Sequence, residues 1–108
     1  MRFYKNLYVS ESMAKKKEKL IAKLNKKKYP LKTYVIALIE EGENQLEFYS
    51  TLMFRQGSVI DDDIFAVGLA SGYDDALYLV EEIAKEVYEE TGDLDIRSYI
   101  RKQEREEE

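Results

Sequence analysis

The sequence predicts an α+β fold, a three- to four-stranded antiparallel sheet with two main helices on one face. Three short apolar runs are separated by polar, glycine-containing turns, which is typical of antiparallel strands. Two longer segments flank them, and in these the apolar residues recur every three or four positions, as in amphipathic helices. The predicted order is (β)αβββα plus a short C-terminal helix. A length of 108 residues with 44% hydrophobic content fits a single domain.

The first segment, residues 3–9, alternates loosely and is rich in aromatic and β-branched side chains, which favours a short strand. The spacing of four between Phe3 and Leu7 leaves a helical turn open as an alternative. Ser10 or Ser12 can then cap a helix that runs to about residue 27.

That first helix has two unlike sides. Its apolar stripe is thin, so we expect the helix to pack on one face only. The opposite side carries six lysines: Lys15, Lys16, Lys19, Lys23, Lys26 and Lys27.

The three central strands are predicted at residues 31–40, 46–55 and 64–70. The first of them is apolar on both sides, so it is either central and covered twice or covered by a partner chain. The second shows the clearest one-sided alternation, and Gln56-Gly57-Ser58 ends it.

The last third of the chain predicts a long helix that ends at Gly92 and a short helix over about residues 94–100. We therefore assign residues 1–100 to one domain and 101–108 to a charged, disordered tail.

Composition excludes several classes of chemistry. The chain has no histidine and no cysteine, so the commonest general base, thiolate nucleophiles and disulfides are all absent. No nucleotide-binding glycine motif and no serine nucleophile motif occurs. The aspartates at 61–63 lack the ligand spacing of a calcium loop, and an exposed loop explains them. We expect no enzyme, no cofactor and no metal site.

Charge is divided unevenly along the chain. Residues 1–32 hold eleven Lys or Arg against two Glu, whereas residues 33–108 hold six against twenty acidic residues. The six lysines of the first helix either bind a polyanion such as nucleic acid or lie against the protein's own acidic surface. The α-β-β-β-α order over about residues 10–91 resembles that of double-stranded RNA-binding domains. However, Tyr73-Asp74-Asp75 stand where that family has a lysine cluster, and Glu41-Gly42-Glu43 replaces its glycine–proline–histidine loop, so membership is not inferred.

The predicted function follows from the predicted layers. Two helices on one side of a sheet leave the other side bare, and monomers usually avoid such an apolar surface. We expect this bare side to form the interface of a homodimer or to receive a protein partner, through Tyr34, Val35, Tyr49, Thr51 and Met53. The prediction is a small interaction or regulatory module that self-associates through this open face or through an edge strand, with nucleic-acid binding as the alternative. No stretch is apolar enough to span a membrane and no signal peptide is evident, so a cytoplasmic location is expected.

Overall fold

A computed structural model describes residues 1–106. Its elements in chain order are β1 (Arg2–Val9), a 3-10 helix (Glu11–Lys16) that leads into α1 (Lys17–Asn25), β2 (Thr33–Leu38), β3 (Leu46–Ser50), α2 (Thr51–Arg55), a second 3-10 helix (Asp61–Asp63), β4 (Phe65–Ser71), α3 (Tyr73–Thr91) and α4 (Ile96–Arg105). The α+β class is confirmed, and the weakly specified first segment is a strand.

The sheet is mixed, which corrects the prediction of an antiparallel one. Its strand order is β1-β4-β2-β3, with β1 parallel to β4 and the two other pairs antiparallel. Arg2 lies opposite Phe65 and Val9 opposite Leu69. The first and last strands both run into a helix at the same end of the sheet, which is the arrangement of parallel neighbours.

The helices lie on both faces of the sheet, so the prediction of two main helices on one face is wrong. Ile36 and Val67 belong to a buried cluster with α3 and α4, including Ile83 and Ile100. Their strand neighbours Val35 and Ala66 point the other way and belong to a second buried cluster. That second cluster contains Met13, Leu20 and Leu24 of the first helical segment, together with Phe54 of α2. Strand β2 is therefore central and covered twice, the first of the two alternatives that its apolar sides allowed.

Strand β3 ends at Ser50, five residues earlier than predicted. The Ser50 hydroxyl accepts a hydrogen bond from the backbone N–H of Leu52 at 3.2 Å and caps α2. The turn places the ring of Phe54 against that of Tyr29, with centroids 5.3 Å apart and planes 24° apart. Residues 51–55 alternate as a strand does, but burying Phe54 beside α1 requires the chain to turn.

The C-terminal helix reaches further than expected. Helix α4 extends through Arg105, so residues 101–105 of the segment predicted to be disordered are helical. The Asp95 side chain accepts from the Ser98 N–H and caps the helix, while Ile96 and Ile100 are buried. Arg101 also pairs with Glu40. Residues 107 and 108 of that tail lie outside the described range. Among the described helices, none has the length and apolar character needed to cross a bilayer.

Candidate interaction surfaces

Strand β3 is an edge of the sheet, with β2 on one side and no strand on the other in the described part of the chain. The backbone N–H of Ile39 donates to the carbonyl of Gln45 at 2.8 Å, so the polar backbone groups of residue 45 point towards β2. Backbone groups alternate in direction along a strand. Those of residues 47 and 49 therefore also face β2, and those of Leu46, Phe48 and Ser50 face away from the sheet.

An aromatic cluster lies beside this edge, on the face that α3 covers. The rings of Tyr34, Phe48 and Tyr73 meet edge to face, with centroid separations of 5.8, 6.2 and 5.5 Å. Tyr73 begins α3 and is 55% exposed, and Leu77 one turn later is 41% exposed. We call Tyr34, Phe48 and Tyr73 the edge triad.

The structure separates the residues predicted to form an interface. Tyr34 belongs to the edge triad on the α3 face, whereas Val35 and Tyr49 point to the α1 face. Val35 and Thr51 are buried, and the Thr51 hydroxyl donates to the carbonyl of Pro30 at 2.5 Å. Met53 is half-buried on α2 rather than on a strand. The bare sheet face that motivated the set does not exist, because α1 and α2 cover it.

Tyr49 keeps a partly exposed hydroxyl at the edge. It donates to the Glu47 carboxylate at 2.7 Å. Burial, together with this hydrogen bond to an anion, raises the pKa of Tyr49 to about 12. Glu47 and Tyr49 lie on the same side of β3, two residues apart.

The six predicted lysines form one exposed surface, which we call the lysine face. All six are exposed, while Leu20 and Leu24 of the same helix are buried against the sheet. Of these six lysines, only Lys27 forms an ion pair with a residue of the described range 1–106; its partners are Asp61 at 2.7 Å and Asp62 at 3.2 Å. The alternative that the basic helix lies against the protein's own acidic surface therefore describes Lys27 and not the other five.

Asp61 is a buried carboxylate that ties the end of the lysine face to the loop before β4. It accepts from the Lys27 ammonium and, at 2.5 Å, from the Tyr29 hydroxyl. Burial alone would raise the pKa of Asp61, but these two hydrogen bonds outweigh it and hold the pKa below the ordinary value of 3.8. Burial and the bond to Asp61 raise the pKa of Tyr29 to about 12. Residues 61–63 were predicted to be an exposed loop, but they form a 3-10 helix in which Asp61 is buried and holds this structural link.

A cleft of about 560 Å³ opens beside this link, between the end of α1 and α2. We call it the cationic cleft, because Lys23, Lys27, Lys28 and Arg55 line it together with Tyr29, Pro30 and Phe54. Sequence reasoning missed Lys28 and Arg55 as members of a site. Arg55 was placed on a strand, and only recognition of Ser50 as a helix cap would have brought it to the lysine face.

No family model, curated protein or solved structure matches the chain.

Proposed function

We propose that this chain is a small, non-enzymatic, cytoplasmic interaction module that forms a homodimer through the open edge of β3. The observation that carries the proposal is the edge itself, which combines outward backbone groups at Leu46, Phe48 and Ser50 with the edge triad. Tyr73 of the triad is exposed, and Tyr34 and Phe48 are half-buried. An unpaired edge strand is a template for another strand. The accessible parts of these rings supply the aromatic contact area in which interfaces are enriched.

The other edge of the sheet is a poorer template, which supports the choice of β3. Strand β1 carries Arg2 and Lys5 and has a register irregularity between Phe3 and Tyr8. Charged side chains and irregular pairing are the devices by which proteins protect a sheet edge. Strand β3 is regular over five residues, and Glu47 is its single charge.

The sequence of β3 suits pairing with a second copy of itself. In an antiparallel pair centred on Phe48, Leu46 of one protomer lies opposite Ser50 of the other, and Glu47 lies opposite Tyr49. No carboxylate faces a carboxylate, and each Glu47 meets a hydroxyl that already donates to carboxylate in the free chain. The outward groups of residues 46, 48 and 50 are those that this register needs for its hydrogen bonds.

Backbone pairing is tested at Ser50, whose φ of −66° already suits proline. Ser50→Pro removes both the outward N–H and the cap hydroxyl, whereas Ser50→Ala removes only the hydroxyl. Comparison of the two variants therefore separates the effect on strand pairing from the effect on helix capping. Sedimentation velocity at ~100 µM should show a dimer for the wild type and Ser50→Ala, and a monomer for Ser50→Pro. A monomeric wild type overturns the proposal.

The triad is tested with two tyrosines of similar exposure on one helix. Tyr73→Lys places a charge within the edge triad, whereas Tyr88→Lys places it about 22 Å further along α3. We expect the first variant to weaken the dimer and the second to leave it unchanged. Equal effects would mean that the triad is not part of the interface.

A second function, polyanion binding, is favoured by the exposed lysine face. Five of its six lysines have no carboxylate partner within residues 1–106, so their charge is available to phosphates. Such binding is independent of sequence and falls steeply with salt. We expect Lys16→Glu with Lys19→Glu to weaken retention on a single-stranded DNA column, so that the variant elutes at lower salt than the wild type. Lys85→Glu with Lys102→Glu, the same charge change on other helices, should leave it intact. An unretained wild type overturns this candidate.

A further inference from the structure

We propose that the cationic cleft is the phosphate-binding centre of the lysine face and that it takes the phosphate group of a nucleotide. The inference rests on the polyanion-binding candidate above and adds a specific site and ligand to it. The phosphate group can belong to a free nucleotide or to a nucleotide within a single strand, and titration with a mononucleotide and an oligonucleotide distinguishes the two.

The charge within the cleft is the first argument. Lys27 is neutralised by Asp61 and Asp62, but Lys23, Lys28 and Arg55 pair with no carboxylate in the described part of the chain. Three cations around one cleft favour a ligand that carries more than one negative charge. The planar guanidinium of Arg55 can bind two oxygens of one phosphate, and the lysines add point charges.

The second argument is that the wall of the cleft is fixed before a ligand arrives. The Lys28 N–H donates to the Lys23 carbonyl at 2.9 Å, and the Tyr29 hydroxyl is held on Asp61. The Pro30 carbonyl accepts from Thr51, which joins the loop to the start of α2. A loop fastened at these three points loses little conformational entropy on binding.

The third argument concerns the end of α1, where free carbonyl groups would repel an anion. Here backbone N–H groups of the residues that follow α1 donate to several of these carbonyl groups. The N–H groups of Lys26, Lys27 and Lys28 donate to the carbonyls of Ala22, Leu24 and Lys23 respectively. Three of the last four carbonyl groups of α1 are therefore occupied within the chain, which lessens their repulsion of an anion in the cleft.

Size and apolar lining fit a nucleotide rather than a bare ion. A volume of about 560 Å³ lies within the roughly 300–1,000 Å³ of small-molecule sites. Tyr29 and Pro30 form an apolar wall next to the cations, and Phe54 supports the Tyr29 ring from behind. A phosphate held by Arg55 and the lysines leaves this wall to the sugar and base, and bases stack on aromatic rings.

The test compares two double variants that make the same charge change on the lysine face. Lys28→Glu with Arg55→Glu alters the cleft, and Lys15→Glu with Lys16→Glu alters the far end of the first helical segment. Fluorescence anisotropy with oligothymidylate should show a loss of affinity for both pairs, because all four residues are cations, and the loss for the first pair should be at least ~5-fold greater than that for the second. The salt slope should fall by about 1 for each lost phosphate contact. All four residues are exposed, and thermal melting followed by circular dichroism verifies that both variants are folded.

Amide chemical-shift titrations of the wild type with inorganic phosphate, adenosine monophosphate and oligothymidylate identify the source. Shifts at residues 27–30 and 54–56 with the mononucleotide support a free nucleotide, and shifts there with the oligomer alone support a strand. Equal losses of affinity in the two double variants would overturn the proposal that the cleft is the binding centre. Chemical-shift changes spread evenly over the lysine face would do the same. In either case the lysine face remains a general polyanion surface. A wild type that binds none of the three probes overturns both.

Discussion

The two helical layers of this protein are held to the sheet in different ways. Helix α3 buries four side chains along its 19 residues, and α4 adds two more. Helix α1 buries only Leu20 and Leu24 in nine residues, with Met13 before it. The thinner layer has the Asp61 link at its end. The thicker one has the larger buried apolar area, and the Arg97 guanidinium of α4 also donates to the carbonyls of Ile39, Gly42 and Asn44. A helix with a narrow apolar stripe can therefore cover one face of a sheet if a polar contact fixes the loop that follows the helix.

The largest expected effect is in the apolar layer. Ile83 is fully buried between α3 and the sheet, and Ile83→Ala leaves a cavity there. We expect a loss of about 2–5 kcal/mol in the free energy of unfolding, measured by urea denaturation. Lys85→Ala, two residues away on the exposed side, should change it by less than about 0.5 kcal/mol. Similar losses for both variants would contradict the assignment of this layer.

Gly68 in β4 tests how closely α3 approaches the sheet. A Cβ atom there would lie 3.1 Å from Cδ1 of Ile36 and 3.2 Å from Cδ2 of Leu79. We expect Gly68→Ala to cost about 1–3 kcal/mol through overpacking. In a Leu79→Ala background the same substitution should cost less, because one of the two close contacts is then removed while that with Ile36 remains. Additive losses would show that the contact with Leu79 does not contribute to the cost.

The anchor of the thinner layer is tested by Asp61→Asn. The pKa of Asp61 is below its ordinary value, so its contribution to stability is present above pH 3.8 and is lost as the pH falls below that value. We expect the variant to be about 1–3 kcal/mol less stable at about pH 7 and the gap to narrow at about pH 3. For Ile83→Ala the loss in the free energy of unfolding should be the same at both pH values. If the loss depends on pH equally in the two variants, the Asp61 carboxylate is not a charge-dependent anchor of the α1 layer.

The smallest effect is expected for Tyr29→Phe, which removes one hydrogen bond from Asp61 and leaves that of Lys27. We expect a loss of about 1 kcal/mol at about pH 8. Because the pKa of Tyr29 is raised from 10.0 to about 12, its contribution is present below pH 10 and disappears as the pH rises towards 12. Denaturation at about pH 8 and about pH 11 should show the difference between wild type and variant shrinking. The exposed Tyr88, changed to Phe, should give no such difference.

Local patterns predicted most of the elements, because they depend on the period of apolar residues. The long helix α3 was found in this way. Strand β1 was predicted from its aromatic and β-branched content, and the end of α3 from Gly92, which adopts the left-handed conformation with φ of 82°. The lysine face was also predicted, since six lysines at helical spacing point outwards whatever the helix covers.

Placement of the helices was not predicted, because it depends on strand order. Val35 and Ile36 indicated that β2 is covered twice, but nothing local assigned one layer to α1 and the other to α3. The turn into α2 was missed because Leu52 and Phe54 continue the alternation of β3, while the competing cap comes from Ser50 alone. The cationic cleft depends on that turn, so it could not be predicted before the structure.

The pairing of β1 with β4 has a consequence for synthesis on the ribosome. Residue 2 lies opposite residue 65, so β1 has no neighbouring strand until the residues of β4 have left the ribosome. Before that point the apolar sides of α1 and β2 have no completed sheet to pack against. A nascent chain arrested before β4 should therefore remain sensitive to protease, and one arrested well after α3 should be protected.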